Sequence, residues 1–234
     1  MTDMVGILGY PLNHSLSPVF QQAAFDYYNL DVRYMAWQTT KSELTQKVLE
    51  LSEDRYLGAN VTIPHKEAIM AHLDIIDPQA LKMGAVNTIA KSKGALVGHN
   101  TDSYGFICAL TSQKGFNFED SQVLLLGAGG AARAAAHSLS NKGIKRLTIA
   151  NRTIEKAQTI CRELSDIELQ IVAISISEPE ISEIARSADL IINATSIGMK
   201  HSGTEEVSLL SSNQINPSAL VFDMVYNPPL TSFL

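Results

Sequence analysis

A glycine-rich turn near the middle of the chain constrains the fold more than any other feature. The apolar run 123–126 predicts a buried strand, and residues 131–139 predict a helix. Between them, Gly127-x-Gly129-x-x-Ala132 fits the fingerprint in which glycines let backbone N–H groups approach a pyrophosphate at a helix N-terminus. About half of the chain precedes this turn, which predicts a second domain for whatever the cofactor acts upon.

The composition narrows the class of protein. The chain has 234 residues, of which 45% are hydrophobic and 18% charged, which fits one large domain or two of ordinary size. A net charge of −6 without a basic stripe argues against a nucleic-acid partner. We expect no membrane partner and no secretion, because the sequence has neither a long apolar run nor a basic leader. Cys108 and Cys161 both lie in predicted helices, and we expect a reduced, cytoplasmic setting.

Strand and helix patterns alternate along both halves of the chain. In the first half they predict strands at 5–9, 32–37 and 59–63, helices at 17–30, 41–51 and 66–72, and a hairpin of 86–90 with 95–98 around Lys93-Gly94. A helix at 103–113 leads into strands near 122–126, 146–150, 170–174, 189–193 and 219–222, with helices between them.

This alternation predicts an α/β protein of two domains with a cleft between them. Residues 1–102 would form an N-terminal α/β substrate domain, to which the tail 227–234 would return. Residues 103–226 would form a Rossmann-type, doubly wound dinucleotide-binding domain with a parallel sheet and right-handed crossovers.

The end of the second strand after the glycine turn indicates which nicotinamide cofactor is used. An NAD-binding unit usually has an acid there, whereas this chain has Asn151-Arg152-Thr153, with Lys156 one helical turn later. These donors suit a ribose 2′-phosphate, so we predict NADP. The alternative is that Asn151 or Thr153 only caps a helix and Arg152 is a solvated side chain.

Two residues in the first half are candidates for proton transfer. Lys66 follows the strand 59–63 and a proline turn, and ligands of open α/β sheets bind beyond the carboxyl ends of strands. Asp102 ends a polar segment and begins a helix. The alternatives are that Lys66 is a surface lysine opening a helix, and that Asp102 or Thr101 is an N-cap.

An ordered series of motifs then resembles one enzyme family along nearly the whole chain. The series comprises His14-Ser15-Leu16-Ser17-Pro18, Asn60-Val61-Thr62-Ile63-Pro64-His65-Lys66, Gly84-Ala85-Val86-Asn87-Thr88, Asn100-Thr101-Asp102, Gly127-Ala128-Gly129-Gly130-Ala131, Asn151-Arg152-Thr153, Asn193-Ala194-Thr195-Ser196-Ile197-Gly198-Met199 and Asp223-Met224-Val225-Tyr226-Asn227-Pro228. It resembles the shikimate dehydrogenases. The resemblance implies an oxidoreductase of aromatic amino-acid biosynthesis that reduces 3-dehydroshikimate to shikimate with NADPH.

The resemblance also assigns roles to single residues. Lys66 matches the family's acid/base lysine and Asp102 its partner carboxylate. Substrate contacts fall on Ser15, Ser17, Thr62, Asn87 and Tyr226. Cofactor contacts fall on Gly127, Ala128, Gly129, Gly130, Ala131, Asn151, Arg152, Thr153, Lys156, Thr195 and Met224.

Purely structural roles remain open for several of these residues. Ser17 with Pro18 could cap a helix, Asn87 could satisfy local backbone, and Tyr226 and Met224 could pack in a core. We expect no metal, because His14 and His65 have no second ligand at a familiar spacing.

Two departures from the family's pattern complete the sequence-based expectations. Gln21-Gln22 stands where the first helix often carries His-Asn, a change expected to affect packing. Family members also continue beyond the position of Leu234, so an impaired enzyme is one expectation. The alternatives are a quinate/shikimate dehydrogenase that uses NAD, or a non-catalytic protein that binds NADP or shikimate. We expect a monomer or a homodimer.

Overall fold

The computed structural model describes residues 2–13, 15–112, 116–165, 168–200 and 202–234. The chain forms two compact units, Met1–Thr101 and Asp102–Leu234. His14 of the first motif and the predicted helix end at Gln113 lie outside the described residues. Within the described ranges, no helix is both long enough and apolar enough to cross a membrane.

The first unit is a mixed sheet of six strands in the order β2-β1-β3-β5-β6-β4. Strands β1, β2 and β3 are parallel, and β5 runs antiparallel to β3 and β6. The carboxyl ends of β1, β2, β3 and β6 therefore share one edge with the start of β5. The elements are β1 (Asp3–Gly9), α1 (Ser17–Tyr27), β2 (Val32–Gln38), α2 (Leu44–Glu50), β3 (Tyr56–Val61), a 3-10 turn (Ala68–His72), β4 (Ile75–Ile76), α3 (Pro78–Met83), β5 (Thr88–Ser92) and β6 (Ala95–His99).

Most predicted elements of the first unit are present, and two differ for local reasons. The hairpin is confirmed, with Lys93 and Gly94 at φ 51° and 83°, as a tight two-residue turn requires. Helix α1 ends at Tyr27 rather than at residue 30, because Asn29 has a left-handed φ of 53°. The helix predicted at 66–72 is wrong. Only a 3-10 turn forms there, since the chain is already extended at Leu73 before β4.

The second unit is a sheet of five parallel strands in the order β11-β10-β7-β8-β9, which confirms the predicted parallel sheet. The strand order reverses between β7 and β10, and in such sheets ligands bind beyond the carboxyl ends at that point. The elements are α4 (Asp102–Ser112), β7 (Gln122–Leu126), α5 (Gly130–Leu139), β8 (Arg146–Asn151), α6 (Ile154–Glu163), β9 (Gln170–Ser175), α7 (Ile181–Ser187), β10 (Leu190–Asn193), a 3-10 turn (Ser212–Gln214) and β11 (Leu220–Asp223).

Both faces of this second sheet are covered. Leu125 and its neighbours on one face pack against α4, α5 and α6, whereas Leu124 and Leu126 on the other face pack with α7. A strand that is buried on both faces has a continuous apolar sequence, which is why the run 123–126 predicts this strand. The sheet is therefore doubly wound and Rossmann-type. Phe233 belongs to the tail 227–234, which we predicted to return to the first domain. It packs in the apolar core on the Leu124 and Leu126 face of this second sheet.

Candidate functional site

The end of β3 carries Thr62 to the shared edge of the first sheet. The Thr62 N–H donates to the Leu8 carbonyl at 2.8 Å, and the Tyr10 N–H donates to the Ile63 carbonyl at 3.0 Å. A Cβ atom at Gly9 would lie 2.4 Å from the Thr62 Cγ2 atom, so the strand ends approach each other closely only because residue 9 is glycine. The cis peptide bond Ile63–Pro64 then turns the chain toward Lys66.

Lys66 is anchored through its own carbonyl and through the buried residue that precedes it. Its carbonyl accepts a hydrogen bond from the Val86 N–H at 2.8 Å. The preceding residue, His65, is fully buried, and its Nε2 lies 2.6 Å from the Thr39 carbonyl, which makes Nε2 the donor. The Lys66 side chain is half-buried and precedes the 3-10 turn. Lys66 is therefore partly exposed, and the segment after it is a 3-10 turn rather than an α-helix.

Asn87 joins the start of β5 to the end of β6. Its Oδ1 accepts from the Thr101 N–H at 2.9 Å and from the Thr88 hydroxyl at 2.9 Å, and its Nδ2 donates to Thr101 Oγ1 at 3.0 Å. Its carbonyl accepts from the Val61 N–H at 2.7 Å. The amide of Asn87 thus satisfies neighbouring groups in this structure, as the alternative interpretation expected.

Ser15 and Ser17 lie where the chain leaves β1 and enters α1. Helix α1 begins at Ser17 with Leu16 in the N-cap position and Pro18 in its first turn. The Ser15 Oγ accepts a long hydrogen bond of 3.4 Å from the Ser17 N–H. The Ser17 side chain is not the N-cap of this helix, which leaves its hydroxyl available for another contact.

Sequence reasoning missed a buried tyrosine whose hydroxyl reaches Asn60, near the end of β3. Tyr34 on β2 is only 5% exposed, and its hydroxyl donates to Asn60 Oδ1 at 2.7 Å. Burial raises the pKa of Tyr34 to about 12, against the smaller, lowering effect of the Ser17 hydroxyl. Asn60 Nδ2 makes a long contact of 3.4 Å with Thr88 Oγ1. The sequence signal for such a partner was Asn60, because it is a polar residue at the start of the motif that leads to Lys66.

In the second unit, the glycine turn has the geometry of a phosphate cradle. Gly127 has a φ of 110°, and a Cβ atom there would lie 3.0 Å from the Ala194 carbonyl oxygen. Gly129 is the N-cap of α5, and Gly130 begins the helix. A Cβ atom at Gly129 or Gly130 would meet no heavy atom of the described residues within 4 Å. The main chain is therefore open at the helix N-terminus, as the approach of a pyrophosphate requires.

The three alanines of the turn differ in what they contact. Ala132 is fully buried in the core, which suits the close helix-to-strand packing expected at the third position of the fingerprint. Ala128 packs partly against the same core, and Ala131 is exposed at the start of α5.

The segment after β8 presents cations beside this cradle. The register pairs Leu126 with Ala150, so Asn151 follows at the same edge as Gly127. Asn151 Nδ2 donates to the Thr153 carbonyl at 2.8 Å. Thr153 occupies the N-cap position of α6, yet its side chain makes no capping bond within the described residues. Capping therefore does not account for these residue types. Arg152, Thr153 and Lys156 are all exposed.

Asn193 organises the two loops that carry Thr195 and Met224. Its Oδ1 accepts from the Thr195 hydroxyl at 2.7 Å, and its Nδ2 donates to Asp223 Oδ1 at 3.0 Å. The Met224 N–H donates to the Asn193 carbonyl at 3.0 Å, and the Met224 side chain packs partly against the core. Asn193 is 1% exposed, and sequence reasoning gave it no role. The available signal was its place directly after the apolar run 190–192.

Tyr226 and Asp102 complete the predicted set. Tyr226 is 65% exposed, so it is not a core residue. Asp102 is the first residue of α4 and directly follows Thr101. Because Lys66 and Asp102 belong to different units, their pairing stays a prediction. Among the described residues, no group of three or more potential metal ligands occurs.

A doubly wound parallel sheet with an open glycine turn, joined to a separate mixed α/β unit, defines a dinucleotide-binding protein of two units. Residues 7–89 match the model of the shikimate dehydrogenase substrate binding domain, and residues 109–229 match that of shikimate / quinate 5-dehydrogenase. The chain belongs to the shikimate dehydrogenase family.

Individual relatives are similar over the whole chain. The shikimate dehydrogenase (NADP(+)) of Nitrosopumilus maritimus is 42% identical over 100% of this chain and 83% of the relative. That of Methanopyrus kandleri is 39% identical over 100% of this chain and 80% of its own length. The Thermus thermophilus enzyme, solved with NADP(H) and shikimate, is 35% identical with a TM-score of 0.85, covering 99% of this chain and 82% of that one.

Proposed function

We propose that this chain catalyses the reversible, NADP-dependent reduction of 3-dehydroshikimate to shikimate. The observation that carries the proposal is the main-chain fixation of Lys66 at a sheet edge, in a member of this family. A lysine held at its backbone keeps a defined origin for its ammonium group, which proton transfer to a bound substrate requires.

The proton transfer is assigned to Lys66. NADPH, when bound, supplies the hydride that reduces the ketone carbon of the substrate. As the carbonyl oxygen gains negative charge, the Lys66 ammonium donates a proton to it and the hydroxyl forms. In the oxidation of shikimate, the neutral Lys66 amine accepts that proton. Asp102 is assigned as the carboxylate that orients the Lys66 ammonium.

The substrate contacts are assigned to one set of hydroxyl and amide groups. Ser15 and Ser17 would donate to the substrate carboxylate near the N-terminus of α1, where an anion is favoured. Thr62, Asn87 and Tyr226 would bond the ring hydroxyls.

The cofactor contacts are assigned to the second unit. The turn from Gly127 through Ala131 would bind the pyrophosphate with main-chain N–H groups, and Thr195 and Met224 would border the nicotinamide. Asn151, Arg152, Thr153 and Lys156 would bind the 2′-phosphate. The openness at Gly129 and the lack of any acid at 151–154 support this assignment of NADP.

The proposal includes the predicted division of labour along the chain. Residues 1–102 would bind substrate and residues 103–226 would bind NADP. We place the protein in the cytoplasm, as a monomer or a homodimer, in keeping with cysteines that are free thiols.

The test mixes the protein with shikimate and NADP⁺ and follows the absorbance of reduced nicotinamide. We expect turnover with this pair, and much slower turnover when NAD⁺ or quinate replaces either member. Faster turnover with quinate and NAD⁺ would support the alternative dehydrogenase. Calorimetric binding of shikimate and NADP⁺ without turnover would support a non-catalytic binding protein.

A further inference from the structure

Strands β10 and β11 end side by side with a buried amide and a carboxylate. Asn193 is the last residue of β10 and Asp223 is the last of β11, and the register pairs the two. Asn193 is also paired with Leu126, and the residue after Leu126 is Gly127 of the glycine turn. The two polar side chains therefore lie at the carboxyl ends of the strands, beside the point where the strand order reverses.

The position of this pair indicates which part of the nucleotide it serves. The proposed function assigns the 2′-phosphate to the end of β8 and the pyrophosphate to the end of β7. Because a dinucleotide binds across the ends of the strands, its remaining part, the nicotinamide with its ribose, falls beyond β10 and β11 on the other side of β7. Thr195 and Met224, which closely follow these two strands, are the residues assigned to that part.

The Asn193 amide fixes the loop that carries Thr195. Its Oδ1 accepts from the Thr195 N–H at 3.1 Å and from the Thr195 hydroxyl at 2.7 Å. Its Nδ2 donates to the Ile197 carbonyl at 3.2 Å and to Asp223 Oδ1 at 3.0 Å. A main-chain N–H can only donate and a carboxylate can only accept, so these partners allow the amide a single orientation.

The Asp223 carboxylate fixes the loop that carries Met224. Its Oδ1 also accepts from the Val225 N–H at 2.9 Å, which turns the chain directly after β11. The Met224 N–H donates to the Asn193 carbonyl at 3.0 Å. The peptide groups on both sides of the Met224 Cα atom are therefore bonded to the pair formed by Asn193 and Asp223.

Thr231 joins the tail of the chain to this pair. Its hydroxyl donates to Asp223 Oδ2 at 2.5 Å and accepts from the Phe233 N–H at 3.3 Å. Thr231 is buried, and the Phe233 side chain packs in the apolar core below it. A Cβ atom at Gly198, in the Thr195 loop, would lie 3.1 Å from the Thr231 Cβ atom, so a glycine there lets the tail approach that loop. The second oxygen of the Asp223 carboxylate is thus held by a segment that is anchored in the core.

We infer that Asp223 and Thr231 are positioning residues that hold Thr195 and Met224 against the nicotinamide half of NADP. The inference rests on the proposed function, which assigns Thr195 and Met224 to that half. A displaced nicotinamide slows hydride transfer, because the reacting carbon atoms must meet within a narrow range of distance and angle. Asp223 and Thr231 act through the Asn193 amide and the main chain of the two loops, without touching the nucleotide.

The experiment removes one hydroxyl and follows two ligands. Thr231→Val keeps the shape of the side chain and takes away the donor to Asp223 Oδ2. We expect NADP⁺ binding to weaken about fivefold and kcat for shikimate oxidation to fall about tenfold. Adenosine 2′,5′-bisphosphate, which has the 2′-phosphate but no nicotinamide, should bind the variant within about twofold of the wild type. Calorimetry measures the two affinities, and steady-state kinetics measures kcat.

Two further variants serve as controls. Thr231→Ser retains the hydroxyl and should bring the NADP⁺ affinity and kcat back to within about twofold of the wild type. Thr111→Val makes the same change at an exposed threonine of α4, whose hydroxyl donates to the Ile107 carbonyl of its own helix. This variant is expected to leave all three quantities unchanged.

The outcomes distinguish this inference from the proposed function. An equal loss of affinity for NADP⁺ and for adenosine 2′,5′-bisphosphate in Thr231→Val would overturn the inference, because the change would then act on the whole unit. NADP⁺ affinity and kcat that both stay within twofold of an active wild type would overturn it as well. Wild-type protein that neither binds NADP⁺ nor oxidises shikimate contradicts the proposed function itself. Should Thr231→Val fail to fold, Thr231→Ala, which also removes the hydroxyl, takes its place with the same expected direction.

Discussion

The functional edges of the two sheets are built in different ways. In the first unit, polar side chains bond to one another across strand ends, as Asn87 does with Thr88 and Thr101. In the second unit, the corresponding edge is main chain with open space around it, at Gly129 and Gly130. The first edge presents side-chain groups that already have partners, and the second presents backbone groups that a ligand can approach directly.

This difference sets which substitutions should matter at each edge. A side-chain network loses function when a chemical group is removed, because the remaining partners are left unsatisfied. A glycine cradle loses function when atoms are added, because space and backbone conformation are what it supplies. The predictions below follow from this contrast.

The largest effect is expected at Lys66. Lys66→Ala removes the group that donates the proton and should lower kcat by about a thousandfold, within the range for loss of general acid catalysis. NADP⁺ binding should be unchanged, because the cradle lies in the other unit. Steady-state kinetics and calorimetry measure both quantities. Lys82→Ala, at an exposed lysine of α3, is the control, and near-normal turnover by Lys66→Ala would exclude Lys66 from proton transfer.

A smaller effect is expected at Arg152. Arg152→Ala removes an exposed guanidinium from the end of β8 and should weaken NADP⁺ binding by roughly tenfold to a hundredfold, as expected for a charge-assisted bond to phosphate. NAD⁺ binding should barely change, since NAD⁺ lacks the 2′-phosphate. Calorimetric titration with both nucleotides tests this, and an equal loss for the two would remove the assignment of the 2′-phosphate to Arg152.

Alanine substitutions at Gly127 and Gly129 compare a glycine that is required by its backbone conformation with one that has open space around it. At Gly127, alanine would be strained by the φ of 110° and would crowd the Ala194 carbonyl, so Gly127→Ala should lower the free energy of unfolding by about 1–3 kcal/mol. Denaturant unfolding measures this change. Its comparison is Gly129→Ala, which meets no described atom within 4 Å and should cost less, at most about 1 kcal/mol, because alanine is a poorer N-cap than glycine.

The same two variants also test whether the glycine turn binds the pyrophosphate of NADP⁺. Although Gly129→Ala should be the more stable of the two variants, it should bind NADP⁺ roughly tenfold more weakly than the wild type, because the added methyl group occupies the approach of the pyrophosphate. A Gly129→Ala protein with unchanged NADP⁺ affinity would show that the nucleotide does not use this turn. Unchanged stability in Gly127→Ala would contradict the strain argument.

The sequence predicted the second unit more completely than the first. The run 123–126, the glycine turn and the parallel strands follow from local patterns of apolar residues and glycines, and the hairpin at Lys93-Gly94 follows from two residues. Tyr34 and Asn193 had no predicted role, because their hydrogen bonds join residues that only strand register brings together. Gln22 was expected to affect packing alone, because its bond to Tyr34 joins a helix to a strand that is distant in the sequence. The helix predicted at 66–72 was wrong because a pattern of seven residues does not reveal that the chain becomes extended at Leu73, just before β4.

The account as a whole depends on Lys66 and Asp102 acting on one substrate. A crystal structure with NADP⁺ and shikimate bound tests this most directly. We predict the Lys66 Nζ atom within about 3 Å of both the reacting hydroxyl of shikimate and an Asp102 carboxylate oxygen, the reach of general acid–base catalysis. A bound complex in which these two side chains lie far apart, with shikimate away from Lys66, would contradict the account.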